Sequence, residues 1–152
     1  MEKRQVGRTG LMIDTLGLGG APLGGNFVDL EYGQAVELIQ AAMDAGIGYF
    51  DTAPWYGFGR SERVMGDTLR GNGYVLSDKV GRLLKPGAVS NPMDFGMIDP
   101  LPFNVVYDYS YDGIMRAFED NLQRLGLVRI DLRLVLDIGA FQHGEGPSLI
   151  PI

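Results

Sequence analysis

Short apolar runs alternate with longer segments of helical period along this chain, and that order restricts its fold more than any single residue does. The runs are "DTLGLGG" (14–20), "IGYFD" (47–51), "YVLSDK" (74–79) and "RIDLRLVLDI" (129–138). Between the first two, Ala35, Ile39, Ala42 and Met43 recur on one helical face, with Asp29 suited to cap the start and Gly46 to end the helix in the left-handed conformation. Ser61 is placed to cap a second helix with Val64, Met65, Thr68 and Leu69 inward and Gly71 after it. Ser110 is placed to cap a third, whose stripe is Ile114, Met115, Phe118, Leu122 and Leu125 and whose end is Gly126. Strand, helix, strand in succession predicts parallel pairing through right-handed crossovers. Both faces of such strands are covered, so the runs read as apolar without clean alternation. The period alone does not separate an open sheet from part of a closed barrel. Residues 3–13 read as a hairpin turning near Thr9 and Gly10. Residues 80–109 hold Pro86, Pro92, Pro100 and Pro102 without a sustained period and read as one long loop, the kind that is functional or mobile. The remainder, from residue 139, reads as loop.

The totals narrow the function. A chain of 152 residues fits one domain, and the absence of cysteine excludes disulfides and thiolate metal sites. No metal site is expected. A net charge of −6 argues against a nucleic-acid partner. There is no 18-residue apolar run to span a membrane, and "MEKRQVGRTG" lacks the apolar core of a signal peptide, so the expected setting is cytoplasmic.

Chemistry-bearing residues gather where the runs end. Asp51 closes the second run, Tyr56 follows on a turn rich in glycine and proline, and Lys79 closes the third. Parallel strands bring these positions to the carboxyl edge of the sheet, where such folds place their chemistry. A phenol with an ordinary pKa near ~10 is a poor acid at neutral pH. A lysine ammonium nearby favours the phenolate, and an aspartate beside the lysine keeps it charged and oriented. Asp51, Lys79 and Tyr56 would then form a proton donor for a carbonyl oxygen. An Asp–Lys ion pair with a tyrosine merely packed beside it fits the pattern equally well. The glycines of "GLGGAP" do not make a dinucleotide fingerprint, because Pro22 stands where the last glycine belongs; they read as a strand end at which backbone packs closely.

Four stretches, taken together, resemble the aldo-keto reductases: "GLGGAPLGG" (17–25), "AAMDAGIGYFDTAPWYGFGRSERVMGDTLR" (41–70), "VLSDKVGRLLKP" (75–86) and "DYSYDGIMRAFEDNLQRLGLVRIDLRLVLDIG" (108–139). They are most similar to the branch that contains D-threo-aldose (L-fucose) dehydrogenases and pyridoxal 4-dehydrogenases. The resemblance implies an α/β fold of the (β/α)₈ TIM-barrel type, of which residues 1–152 would be the N-terminal half with the first four β/α units. It implies NAD or NADP as cofactor and a small carbonyl compound, sugar or hemiacetal as substrate. It makes Tyr56 the general acid or base, Lys79 the residue that tunes it, and Asp51 the partner of the lysine. Gly19, Gly20 and Asp51 are the candidates for the nicotinamide side of a cofactor site.

Two departures from the family pattern stand out. The family carries a histidine in a fourth-strand pattern like "LVHDIG", and this chain reads "LVLDIG" with Leu136 there. Its one histidine, His143, falls seven residues on and reads as a surface loop residue. A complete barrel takes roughly 250 residues. The chain therefore reads as a fragment, a truncated product or a decayed copy, with open sheet edges that invite self-association. The alternative to an oxidoreductase is a non-catalytic half-barrel scaffold that associates with itself or binds a partner. Arg133, amid apolar neighbours, is expected to reach solvent, a partner or an acid.

Overall fold

The computed structural model describes residues 1–89 and 96–138. A hairpin of β1 (Lys3–Gln5) and β2 (Met12–Asp14) opens the chain, as its turn residues predict. The core sheet consists of β3 (Leu18–Gly19), β4 (Tyr49–Asp51), β5 (Val75–Val80) and β8 (Leu132–Val135), in that order and all parallel. Helices α1 (Tyr32–Asp44), α2 (Arg60–Leu69) and α3 (Tyr111–Leu125) form the crossovers. This is the parallel pairing through helical crossovers that the alternating runs predict, and it fits the half-barrel that the family resemblance implies.

The strand pleat sorts the side chains. Phe50, Leu76, Asp78 and Val80 face the helices and are buried, while Asp51, Ser77 and Lys79 stand on the opposite face. Phe50 and Leu76 join Ile39, Val64, Met65, Leu69 and Leu125 in the main core, and Val80 joins Leu83 and Ala117 in a second cluster. Most inward helix positions follow the sequence period; Met115 is the exception at 37% exposure, and Ala117 and Asn121 are buried in its stead. Arg133 is exposed and stacks on the Phe118 ring.

Three boundaries differ from expectation. Helix α1 starts at Glu31 rather than Asp29, because the Glu31 N–H donates to the Gln34 side chain in a capping box. Helix α2 is entered through Gly59 at φ 95°, and Ser61 lies inside it, buried, instead of capping it. The segment 80–109 is not one structureless loop. Arg82–Pro86 (β6) and Phe103–Tyr107 (β7) pair antiparallel in full register, with Pro86 at the end of β6 and Pro100 and Pro102 just before β7. Within the connection from β6 to β7, the Ile98 N–H donates to the Gly25 carbonyl and the Leu101 N–H to the Gly57 carbonyl, which ties the hairpin back to the loops at the strand ends. His143 lies outside the described residues.

Candidate active site

The register that aligns the strands also aligns the site. Gly19 is level with Asp51, and Asp51 is level with Ser77, two residues before Lys79. Lys79 Nζ lies 2.9 Å from Asp51 Oδ1, 2.7 Å from Asp51 Oδ2 and 2.8 Å from the Thr52 carbonyl oxygen, so each ammonium hydrogen has an acceptor. Asp51 Oδ1 also accepts from the Ser77 hydroxyl at 2.6 Å. Such a charge-assisted bidentate pair, only 8% exposed at Lys79, is held in one geometry.

Tyr56 reaches the same rim from the turn. Its N–H donates to the Ala53 carbonyl, and its own carbonyl accepts from the Ser61 N–H at the start of α2. Gly57, at φ 63°, lets the chain turn away immediately afterwards, and a side chain at Gly24 would collide with the Tyr56 carbonyl at 2.5 Å. Trp55 packs edge-on against Phe58. The turn thereby holds the phenol with Lys79 Nζ 5.2 Å from its ring centre. Among the described residues no hydrogen bond joins the ammonium to the Tyr56 hydroxyl; the lysine acts on the ring through space.

The glycines divide. A Cβ at Gly20 would meet Ser61 Oγ at 2.5 Å and the Asp51 carbonyl oxygen at 2.9 Å, so protein fills the space its missing side chain leaves. Nothing lies within 4 Å of a Cβ at Gly19, which is exposed at the strand end beside Asp51. Gly19 thus leaves open space beside Asp51, and the space at Gly20 is filled by packing.

Leu136 follows β8 directly, donates its N–H to the Val80 carbonyl at 3.2 Å and accepts from the Tyr109 hydroxyl at 2.7 Å. The position is two residues beyond Leu134, which pairs with Lys79, so it faces the rim, but its side chain has no group to donate. Arg82, at the start of β6, is buried between the rings of Trp55 and Tyr107, 4.5 and 5.2 Å away, and pairs with Asp137.

A second polar cluster, on the helix-facing side of Lys79, was missed by the sequence reading. Arg124 donates to both Glu62 oxygens, at 2.6 and 3.1 Å, and to Asn121 Oδ1 at 2.6 Å. Asn121 Nδ2 donates to the Lys79 carbonyl at 2.8 Å, and the Lys79 N–H donates to Asp78 Oδ1 at 2.7 Å. The available signal was an acid in the middle of an apolar strand, which must find a partner when buried.

The sequence pattern of the aldo/keto reductase family matches residues 15–138. The chain belongs to that family. It is 48% identical to a pyridoxal 4-dehydrogenase of Microbacterium luteolum over 95% of its own length and 45% of that protein's. With a D-threo-aldose 1-dehydrogenase of a Pseudomonas species it shares 39% identity, over 84% of this chain and 41% of the other. Among solved structures, the holo form of an aldo-keto reductase from Bacillus halodurans superimposes with a TM-score of 0.69 at 30% identity, covering 88% of this chain and 39% of that one. An aldo-keto reductase of Klebsiella pneumoniae in complex with NADPH gives a TM-score of 0.61 at 27% identity, covering 89% and 39%. The chain therefore spans less than half the length of the curated relatives it matches. No helix among its described residues is long and apolar enough to cross a membrane.

Proposed function

We propose that this chain carries the proton-transfer half of an NAD(P)-dependent aldo-keto reductase site, acting on a sugar or a small aldehyde or hemiacetal in a cytoplasmic setting. The observation that carries the reading is the Lys79 ammonium fixed by Asp51 and the Thr52 carbonyl, 5.2 Å from the ring of Tyr56. In the reductive direction Tyr56 gives its hydroxyl proton to the carbonyl oxygen as that oxygen gains charge. The Lys79 ammonium stabilises the phenolate left behind, and Asp51 holds Lys79 in place. In the oxidative direction the phenolate takes the proton from the substrate hydroxyl. A nicotinamide cofactor, when bound, supplies or accepts the hydride; Gly19 and Asp51 are the residues of this chain that would border it. Leu136 contributes no hydrogen bond to substrate, so orientation of the carbonyl rests on Tyr56 alone among these groups. Self-association through the open edges of β3 and β8, where Leu134 is 45% exposed, belongs to the same proposal.

The test is hydride exchange with NADH and NADPH over a panel of aldehydes and aldoses, for the natural chain and for Tyr56→Phe. Removing one hydroxyl from the rim should lower turnover by about 10²–10⁴ while leaving the fold unchanged, the span expected for loss of a general acid. Equal turnover in the two proteins would refute the role of Tyr56.

A further inference from the structure

Lys79 sits just past the point where its strand loses a neighbour. The paired register of β4 and β5 ends at Asp51 and Ser77, and the next bond, from the Thr52 N–H to the Ser77 carbonyl, is the last between the two chains. Beyond it the main chain of Lys79 is held by side chains: its N–H by Asp78 Oδ1 and its carbonyl by Asn121 Nδ2. Both are fully buried, at 0% exposure.

The other oxygen of Asp78 is the telling atom. Asp78 Oδ2 is buried and receives no hydrogen bond from any donor among the described residues. Its carboxyl lies within hydrogen-bonding reach of Glu62, also fully buried, whose two oxygens are taken by Arg124. Facing Asp78 are Glu62 from α2 and Arg124 from α3, together with the Lys79 N–H on its own strand, while Asp120 from α3 acts through space on Glu62. Two buried carboxylates opposed to one guanidinium would leave an uncompensated charge in the core, which is among the costliest arrangements a protein can hold. A single proton between them removes it and gives the orphaned oxygen its partner. Burial, and then the negative charge of Glu62, push the Asp78 carboxyl well above the usual carboxylate range, in agreement with that geometry.

We propose that Asp78 is a neutral acid that donates its proton to Glu62, and that the chain Arg124–Glu62–Asp78, with Asn121, is the positioning device that holds Lys79 under Tyr56. Asp78 touches no reacting atom; it acts through the main chain of Lys79. The proposal rests on the catalytic reading of Lys79 for its purpose, but its physical content stands apart from turnover.

The test uses the full chain and nuclear magnetic resonance. With ¹³C-labelled aspartate, the Asp78 side-chain carbon should keep the shift of a protonated carboxyl at neutral pH, assigned by its loss in Asp78→Asn. With ¹⁵N-labelled lysine, the Lys79 ammonium should be protected from solvent exchange in the natural chain. Asparagine copies the neutral acid, since its Nδ2 can donate to Glu62 while Oδ1 accepts from Lys79, so Asp78→Asn should retain that protection. Asp78→Ala should lose it, with exchange roughly tenfold faster for one missing buried hydrogen bond. A carboxylate shift for Asp78 at neutral pH overturns the shared proton, even if Asp78→Ala proves unable to fold. Loss of protection in Asp78→Asn, or equal protection in Asp78→Ala, overturns the positioning role. Unchanged turnover in Tyr56→Phe would remove the catalytic reading and leave these signals as they are, so the two failures are distinguishable.

Discussion

Gly20→Ala tests whether that glycine is required by packing. The added Cβ would stand 2.5 Å from Ser61 Oγ, 2.9 Å from the Asp51 carbonyl oxygen and 3.2 Å from Met65 Cε. Met65 can give by bending its flexible end. Ser61 can give only by leaving two partners, the Gly20 carbonyl at 2.8 Å and Thr52 Oγ1 at 2.9 Å, inside a fully buried site. Two hydrogen bonds at about 1 kcal/mol each, with a hydroxyl left unpaired, amount to about 2–4 kcal/mol. The Asp51 carbonyl is main chain and cannot rotate away, and moving it draws β4 from β3. Gly20 does not have positive φ, so backbone preference adds nothing to the cost and would by itself favour alanine slightly. Gly19→Ala is the control, with open space around its Cβ. Urea unfolding of both variants, read as a midpoint change at constant slope, should therefore show a loss of about 2–4 kcal/mol for Gly20→Ala. Gly19→Ala should stay within about 0.5 kcal/mol of the natural chain, as surface substitutions do. Equal stabilities for the two variants would refute the packing account of Gly20.

Two further substitutions test the frame behind the site. Gly66→Ala would put a Cβ 1.8 Å from the Leu125 carbonyl oxygen, a main-chain contact that only separation of α2 from α3 can relieve; thermal unfolding should show a loss of at least about 1–3 kcal/mol, and an unchanged melt would mean the helices do not meet there. Arg124→Met leaves Glu62 buried without its guanidinium, at a cost of about 3–5 kcal/mol at neutral pH. Burial already raises Glu62 and Arg124 opposes the rise, so the variant's folded pKa climbs further above the unfolded value near ~4.3. A raised folded pKa contributes stability that is present at low pH and lost as pH increases, so the deficit should shrink on acidification from neutral. Unfolding curves across that range that run parallel to those of the natural chain would refute the charge argument.

What the sequence made legible follows from how local each signal is. The strand order and the three crossovers were readable because Ile39, Val64, Leu69 and Leu125 fall at helical spacing and turn up in one core. Asp51 and Lys79 could be paired in advance because parallel strands carry consecutive strand ends to one edge, and the structure joins them at 2.7 Å. The hairpin of β6 and β7 was not readable: its strands are separated by a proline-containing connection, and Arg82 opens an apolar strand as though it were loop. Ser61 looked like a cap because serine before a helical run usually is one. Its hydroxyl is instead consumed by Thr52 and Gly20, a use that depends on three elements meeting and leaves no local trace. In the cluster of Glu62, Asp78, Asn121 and Arg124, Asp78 in its apolar strand signals that a partner exists, but Glu62, Asn121 and Arg124 each read alone as a solvated charge or amide on an amphipathic helix.

The contacts that fix Asp51, Tyr56 and Lys79 run between residues 18 and 134: the ladder from β3 through β8, the turn into α2, and the buried cluster that α3 closes from behind. In the proposed function, proton handling would therefore rest on the described strands and helices themselves. Hydride handling would ask for a held nicotinamide, which in the proposed function Gly19 and Asp51 would border. The two demands differ in kind. A proton donor needs a phenol and a fixed cation within a few ångströms, and short-range contacts provide that. Hydride transfer needs a large flat partner aligned with the substrate, and its rate depends on how rigidly that partner is placed. Turnover and site geometry can therefore be lost separately. The resonance signals of Lys79 and Asp78 report on the geometry even where the hydride assay reports nothing.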